Sequence, residues 1–162
     1  MRSNIINWLM YTDNDLIYYD NRTILERFPI PNYKARANSI VKCIVKGGLN
    51  KTIFYPKRSN HVPDRNLMIC DSAGKILERY NRFSISPPVY KYAVLKHFSD
   101  KTAEEYINKT RRGANRNRPY RIEDRIKIFF RHNKFSEEKL KFFEEKFNQS
   151  LREYIHVKKF FS

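Results

Sequence analysis

The sequence predicts a mixed α/β (α+β) protein in which a short mixed sheet and a hairpin are followed by about three helices. Two observations lead to this prediction. Short apolar runs between Pro and Gly turns dominate residues 1–98, and apolar residues at helical spacing dominate from Thr102 onward. With 162 residues, of which 41% are hydrophobic, the chain has the size of a single domain and enough apolar residues for a core.

The predicted strands are short and lie between turn signals. Gly47-Gly48 and Pro87-Pro88 are the clearest of these signals, because Gly and Pro interrupt regular structure. The Asp-Ser-Ala-Gly run at 71–74 has the composition of a hairpin turn. The strands are expected at residues 40–45, 67–70, 75–77 and 92–98.

Three helices are predicted in the second part of the chain. Thr102 and Glu105 have capping-box spacing, so a helix should begin at about Ala103. A second helix is indicated by the apolar spacing that starts at Ile122, and a third follows the candidate N-cap Ser136. We interpret the aromatic stripe of the third helix as core, with a partner-binding or membrane-surface face as the alternative. The expected division is 1–113, followed by a helical extension, 114–162, packed on it.

The chain is strongly basic, with 33 Lys and Arg residues against 17 Asp and Glu residues and a net charge of +16. This charge favours anionic partners such as nucleotide diphosphates, anionic lipid headgroups or nucleic acid, and it does not choose among them. Aromatic residues interleaved with Lys and Arg make a nucleic-acid-binding module the alternative function. Against that alternative, the chain has no nucleic-acid recognition motif, and its basic residues spread over both halves.

Cysteine content and hydropathy indicate the expected environment. Cys43 and Cys70 have neither CxxC spacing nor a metal-ligand pattern, so a disulfide scaffold and a zinc site are unsupported. A reducing, cytoplasmic compartment is therefore expected. The sequence contains neither an apolar run of transmembrane length nor a secretory signal, so we expect a soluble protein or one peripheral to a membrane.

The segment from His97 to Gly113 joins a metal-capable imidazole to cationic groups across a helix start. His97 ends an apolar run, and Lys101 precedes the capping residue, so we expect the imidazole, the ammonium and the helix start to converge on one ligand. The free N–H groups of the helix start favour an anion. The basic residues that follow indicate a polyanion site or a solvated helix face. They are Lys109, Arg111, Arg112, Arg116, Arg118 and Arg121.

This segment resembles the C-terminal signature of a group of glycosyltransferases near family 2 and family 92. In this chain the signature reads His-x3-Lys-Thr-x-Glu-Glu-Tyr-x2-Lys-x2-Arg-Gly. Other motifs agree in order, and the resemblance covers roughly residues 7–112. They are Asn7-Trp8, Tyr-x-Asp-Asn at 11–14, Leu-Glu-Arg-Phe at 25–28, Lys-x-Ile-Val-Lys at 42–46, His-Val-Pro at 61–63 and Asp-Ser-Ala-Gly at 71–74.

The resemblance implies a GT-A-like fold that transfers a sugar from a nucleotide-sugar donor to a carbohydrate acceptor hydroxyl. It also implies a divalent metal, Mn²⁺ or Mg²⁺, with His97 as a ligand; His61 is the competing candidate. By motif position, the resemblance implies that Lys101 neutralises the departing diphosphate. Beside it, Lys109, Arg111 and Arg112 are candidates to contact phosphate oxygens, with a solvated helix face as the alternative.

The acceptor side is expected near the N-terminus. Trp8 and Tyr11 suit stacking on a sugar or nucleobase ring, while a single tryptophan is equally a core anchor. Asp13 is the nearest carboxylate able to deprotonate an acceptor hydroxyl. The Asp13-Asn14-Asp15 run has two interpretations, a metal-binding Asp-x-Asp pair and an ordinary turn.

The resemblance also raises an expectation about what precedes this chain. Enzymes of that group carry an N-terminal nucleotide-binding half, with its Asp-x-Asp metal site, before the tryptophan loop. Met1 lies only seven residues before Trp8. We therefore expect a truncated or split enzyme, or a remnant reused for binding, that is inactive alone. The expected protein partners are a separate chain that supplies the missing half or a full-length glycosyltransferase.

Overall fold

The computed structural model describes residues 2–45, 68–78, 84–113 and 121–152. Within these ranges the chain forms a four-stranded mixed sheet and four α-helices, which confirms the predicted mixed α/β class. The chain divides into two compact units. Unit 1 contains Met1–Met10 and Asn32–His97, and unit 2 contains Tyr11–Pro31 and Phe98–Ser162.

Unit 1 is built on a strand that was not among the predicted ones. This strand, β1 (Arg2–Met10), pairs antiparallel with β2 (Val41–Val45) and parallel with both β3 (Met68–Cys70) and β4 (Leu95–His97). Its apolar residues form an almost continuous run, which does not distinguish a strand from a buried helix segment by periodicity. Its pairing with three other strands shows that this segment is a strand.

The two faces of β1 have different environments. Ile5 packs with Val41 and Ile69 in the small core of unit 1. Asn4 is exposed and Ile6 is half-buried, because alternate residues of a strand point to opposite faces. The second face of the sheet is therefore partly open.

The predicted turn between the second and third predicted strands is present. Asp71 Oδ1 accepts hydrogen bonds from the backbone N–H groups of Ala73 and Lys75, and Gly74 adopts a φ of +81°, which favours glycine. The expected strand at 75–77 is reduced to one bridge between Cys70 and Ile76. The strand expected at 92–98 is shorter in the structure than predicted. Within this range only β4 pairs with β1.

Unit 2 is helical and follows the predicted caps. The helices are α1 (Ile24–Arg27), α2 (Ala103–Arg111), α3 (Ile122–His132) and α4 (Glu137–Phe147). Thr102 and Glu105 form the predicted capping box of α2, and Ser136 Oγ accepts from Lys139 N–H at the start of α4. Both helix starts are therefore confirmed.

An aromatic core holds the helices of unit 2 together. The Phe129 ring is fully buried and contacts Tyr106 on α2 and Phe143 on α4, with centroid distances of 5.0 Å in both cases. The aromatic stripe of α4 is thus core, as predicted. The predicted division after residue 113 falls inside unit 2, and it stays a prediction. In the described part of the chain, no helix combines the length and the apolar character needed to cross a membrane.

A buried ion pair between Arg27 and Glu105 predicts an acid-dependent loss of stability. The two side chains are 6% and 18% exposed, and Arg27 Nη1 lies 2.7 Å from Glu105 Oε2. Burial alone raises the pKa of Glu105, but hydrogen bonds from Arg27 and Thr102, with the charges of Arg27 and Lys101, lower this pKa below its usual 4.5. The unfolded chain therefore binds this proton at a higher pH than the folded chain. Stability is present above pH about 4.5 and is lost as the pH falls through the depressed value.

We expect Glu105→Gln to lower the free energy of unfolding by about 1.5–3 kcal/mol at pH 7. The variant should also show a shallower loss of stability below pH about 4.5 than the wild type. Urea unfolding between pH 7 and pH 3 measures both effects. Introducing Glu105→Gln into an Arg27→Met background is the control. A full additional loss there would contradict the pairing.

Candidate functional site

Trp8 and His97 form a stacked pair in unit 1. Their ring centroids are 3.8 Å apart and their planes differ by 13°. The parallel register places Trp8 opposite Leu95 and Met10 opposite His97, so both rings stand on the same face of the sheet. The tryptophan thereby holds the imidazole in a fixed plane at the end of β4.

Asn7 fixes the backbone that carries this stack. Its side chain is fully buried, and its Nδ2 donates to three backbone carbonyls while its Oδ1 accepts from Val89 N–H at 3.1 Å. Tyr90 Oη donates to the carbonyl of Trp8 at 2.8 Å. Asn7 thus anchors the segments around residues 38–39 and 85–89, and Trp8 provides the ring on which His97 stacks. The three carbonyls belong to Asn38, Ser39 and Ile85.

Three of the four predicted diphosphate residues belong to one group of charges in unit 2. Burial lowers the pKa of Lys109, the positive charges of Arg125, Lys101 and Arg112 lower it further, and Asp100 opposes them. Lys109 Nζ also donates to the backbone carbonyl of Ser99 at 2.5 Å. We call Lys101, Lys109, Arg112 and Arg125 the cation cluster. Asp100 and the ion pair of Lys101 with Glu105, at 3.4 Å, offset part of this positive charge. A bound anion would offset more of it.

Arg111, the fourth predicted residue, is tied to a different element. Its Nη2 donates to the carbonyl of Lys146 at 2.7 Å, and its guanidinium lies 5.9 Å from the centroid of the Phe147 ring. Adjacent helix residues point in directions about 100° apart, which separates Arg111 from Arg112. Arg111 therefore links α2 to α4.

The structure adds a hydrogen-bonded pair that the sequence analysis missed. His132 Nδ1 lies 2.8 Å from Asp100 Oδ2, and Asn133 Nδ2 donates to the same oxygen at 3.3 Å. The Asp100 side chain is 3% exposed and that of His132 is 23% exposed. No local signal in the sequence marks this pair, because the partners lie in separate segments. Asp100 also lies within electrostatic range of Lys109, so the pair adjoins the cation cluster.

Asp13, the predicted acceptor base, takes part in a buried ion pair. Its Oδ2 lies 2.6 Å from Lys139 Nζ, and the two side chains are 2% and 1% exposed. Burial raises the pKa of Asp13, and the hydrogen bond and charge of Lys139 oppose that rise. Asn14 and Asp15 have positive φ, so the Asp-Asn-Asp run forms a turn, which was one of its two interpretations. Its catalytic role stays a prediction that this burial disfavours.

The remaining predicted site residues are divided between the two units or lie outside the described residues. Tyr11 belongs to unit 2, is 8% exposed and packs on Phe98 with a centroid distance of 4.7 Å. His97 belongs to unit 1 and Lys101 to unit 2, so their predicted convergence stays a prediction. His61 lies outside the described residues.

The implied divalent metal requires several oxygen or nitrogen ligands. His97 supplies one imidazole. In the described ranges, no three His, Cys, Asp or Glu side chains are grouped so that they could hold a metal ion. The described residues therefore do not form the implied site by themselves, and the metal stays a prediction from the resemblance.

Comparisons with protein-family models, curated proteins and solved structures found no match to this chain. The grounds for a function are therefore the order of the sequence motifs and the geometry of the side chains that they contain. Among the described candidate site residues, Trp8 stacks on His97, and Lys109 lies within electrostatic range of Lys101 and Arg112.

Proposed function

We propose that the chain is the C-terminal, acceptor-side part of a GT-A-type glycosyltransferase. The reaction is transfer of a sugar from a nucleotide-sugar donor to a carbohydrate hydroxyl. One observation carries the proposal: Lys109, whose Nζ donates to the Ser99 carbonyl, lies within electrostatic range of the candidate diphosphate residues Lys101 and Arg112 and of Arg125.

The cation cluster suits the charge that develops in this reaction. When the glycosidic bond to the donor breaks, negative charge accumulates on the leaving nucleoside diphosphate. Cations that are held in place beforehand stabilise this charge without reorganisation. Lys109 acts most strongly because it is half-buried, and Arg112 and Arg125 can each pair with two phosphate oxygens.

The Trp8–His97 stack supports the acceptor side of the proposal. A tryptophan face binds the apolar side of a sugar ring, and its stacking on His97 fixes the direction of both rings. The buried amide of Asn7 keeps this strand position rigid. Rigid support is what a binding site requires of the residues behind it.

We expect the chain to bind uridine diphosphate through the cation cluster. Removing a charge that contacts phosphate should cost about 1.5–3 kcal/mol, or roughly tenfold or more in affinity. Titration calorimetry at low salt, with Lys109→Met and Arg112→Gln, measures this loss. Lys141→Gln, an exposed cation of α4 outside the cluster, is the matched control and should bind like the wild type.

Two results would count against the proposal. One is equal binding of uridine diphosphate by the cluster variants and by Lys141→Gln, which would indicate a non-specific charge effect. The other is binding of arbitrary single-stranded oligonucleotides, with a steep salt dependence, in preference to the nucleotide. That second result would favour the nucleic-acid-binding alternative.

A further inference from the structure

The open face of the unit 1 sheet contains a cavity of about 310 Å³. We propose that this cavity binds one neutral sugar ring, a unit of the acceptor carbohydrate. Its volume is at the lower end of small-ligand pockets, which run from roughly 300 to 1,000 Å³. The described residues that line it are Asn4, Ile6, Ile44, Asp71, Ser72, Gly74, Tyr92 and Ala93.

The floor of the cavity comes from the exposed face of β1 and β2. Asn4 and Ile6 stand on the same side of β1, and Ile44 faces Asn4 across the antiparallel ladder. Ile44 is 58% exposed, an unusual exposure for a large apolar residue in a sheet. The floor therefore combines apolar surface with one amide, which can both donate and accept hydrogen bonds.

Tyr92 provides an aromatic wall. Its side chain is 74% exposed, and Lys91 Nζ lies over the ring at 5.0 Å from the centroid. That contact occupies one face of the ring and leaves the other for a ligand. An aromatic face packs well on the C–H surface of a sugar ring, because the ring is large and apolar with one polar edge.

Asp71 provides a fixed carboxylate in the lining of the cavity. Its Oδ1 is held by the N–H groups of Ala73 and Lys75, and no hydrogen bond from the described residues reaches its Oδ2. Ser72 Oγ donates to the carbonyl of Val89 at 2.6 Å, so its lone pairs remain able to accept. The wall thus presents neighbouring acceptors to a ligand that carries neighbouring hydroxyl groups.

The lining is almost uncharged, which suits a neutral ligand. Among the described lining residues there is one carboxylate and no cation. Two cations adjoin them: Lys42 is the cross-strand partner of Ile6, and Lys91 lies over the Tyr92 ring. The charge of Asp71 is therefore partly offset, and neither sign of ligand charge is strongly favoured.

Asn4, Ile6 and Trp8 share one face of β1, and two residues of a strand span about 7 Å. A sugar in the cavity therefore lies along the same strand face as the Trp8–His97 stack. Only the assignment of this sugar to the acceptor rests on the proposed function. The binding of a neutral sugar does not depend on it.

Saturation-transfer NMR and calorimetry test the cavity with methyl glycosides of common neutral hexoses and with uridine as a separate probe. We expect at least one methyl glycoside to bind, and both Tyr92→Ala and Asp71→Asn to weaken it at least tenfold. Asp71→Asn keeps an Oδ1 for the turn and replaces the ligand-facing oxygen by a donor. Tyr33→Ala is the control, because Tyr33 is an exposed tyrosine of unit 1 outside the lining.

Three outcomes overturn the proposal. They are no binding of any glycoside, equal weakening by Tyr33→Ala, and binding of uridine in place of glycosides through Tyr92 and Asp71, which would assign the cavity to a ribose. Lys109→Met separates this test from that of the proposed function. Glycoside binding should be unchanged in Lys109→Met. A loss of nucleotide binding without a loss of glycoside binding therefore contradicts neither the cavity nor its proposed ligand.

Discussion

We expect Lys139→Met to lower the free energy of unfolding by about 3–5 kcal/mol. Lys139 is 1% exposed, and its Nζ lies 2.6 Å from Asp13 Oδ2 and 2.8 Å from Asp15 Oδ1. Methionine fills a similar volume but leaves the Asp13 carboxylate buried without its cation. Chemical denaturation followed by circular dichroism measures the loss.

Lys141→Met, an exposed position on the same helix, is the matched control for this prediction. It should change the free energy of unfolding by no more than about 0.5 kcal/mol. The double variant Asp13→Leu/Lys139→Met should recover part of the stability, because it removes both buried charges. Equal losses in Lys139→Met and Lys141→Met would show that the ion pair does not stabilise unit 2.

The second large effect is expected for Asn7→Asp in unit 1. The substitution preserves shape, but it places a carboxylate oxygen where Nδ2 now donates to three carbonyl oxygens at 3.1, 3.3 and 3.2 Å. Asn7 is fully buried, so the new charge can be neither hydrated nor paired. We expect a loss of about 3 kcal/mol or more in the free energy of unfolding.

Asn4→Asp serves as the control, since Asn4 lies on the same strand and is exposed. Fluorescence of Trp8, the single tryptophan of the chain, reports on unit 1 directly. We expect Asn7→Asp to shift the unfolding midpoint seen by this fluorescence and Asn4→Asp to leave it in place. Identical midpoints for the two variants would contradict the anchoring role of Asn7.

The helix starts of unit 2 could be predicted from the sequence because their determinants are local. The capping box of Thr102 with Glu105 and the N-cap at Ser136 depend on residues three positions apart, which are neighbours in any chain that turns there. The same reasoning applies to the turn after Asp71, where one side chain accepts from two nearby N–H groups. These elements therefore have the predicted positions.

The candidate site could be predicted only in part. The sequence identified Lys101, Lys109 and Arg112 as candidates, and the charges of Lys101 and Arg112 lower the pKa of Lys109. The sequence did not identify Arg125 as a member of the cation cluster. It also did not distinguish Arg111 from the cluster, although Arg111 bonds to Lys146 on another helix. Such assignments depend on which face of α2 meets α4, and this is set by packing between segments distant in the sequence.

By itself, the sequence determined the mixed α/β class, the basic charge, the capped helices and the turn after Asp71. Each of these depends on composition or on residues a few positions apart. Only the tertiary structure decided that β1 is the central strand, that Asp13 pairs with Lys139, and that Asp100 meets His132. The physical reason is that strand pairing and buried ion pairs join segments far apart in the chain, and local propensity carries no information about such partners.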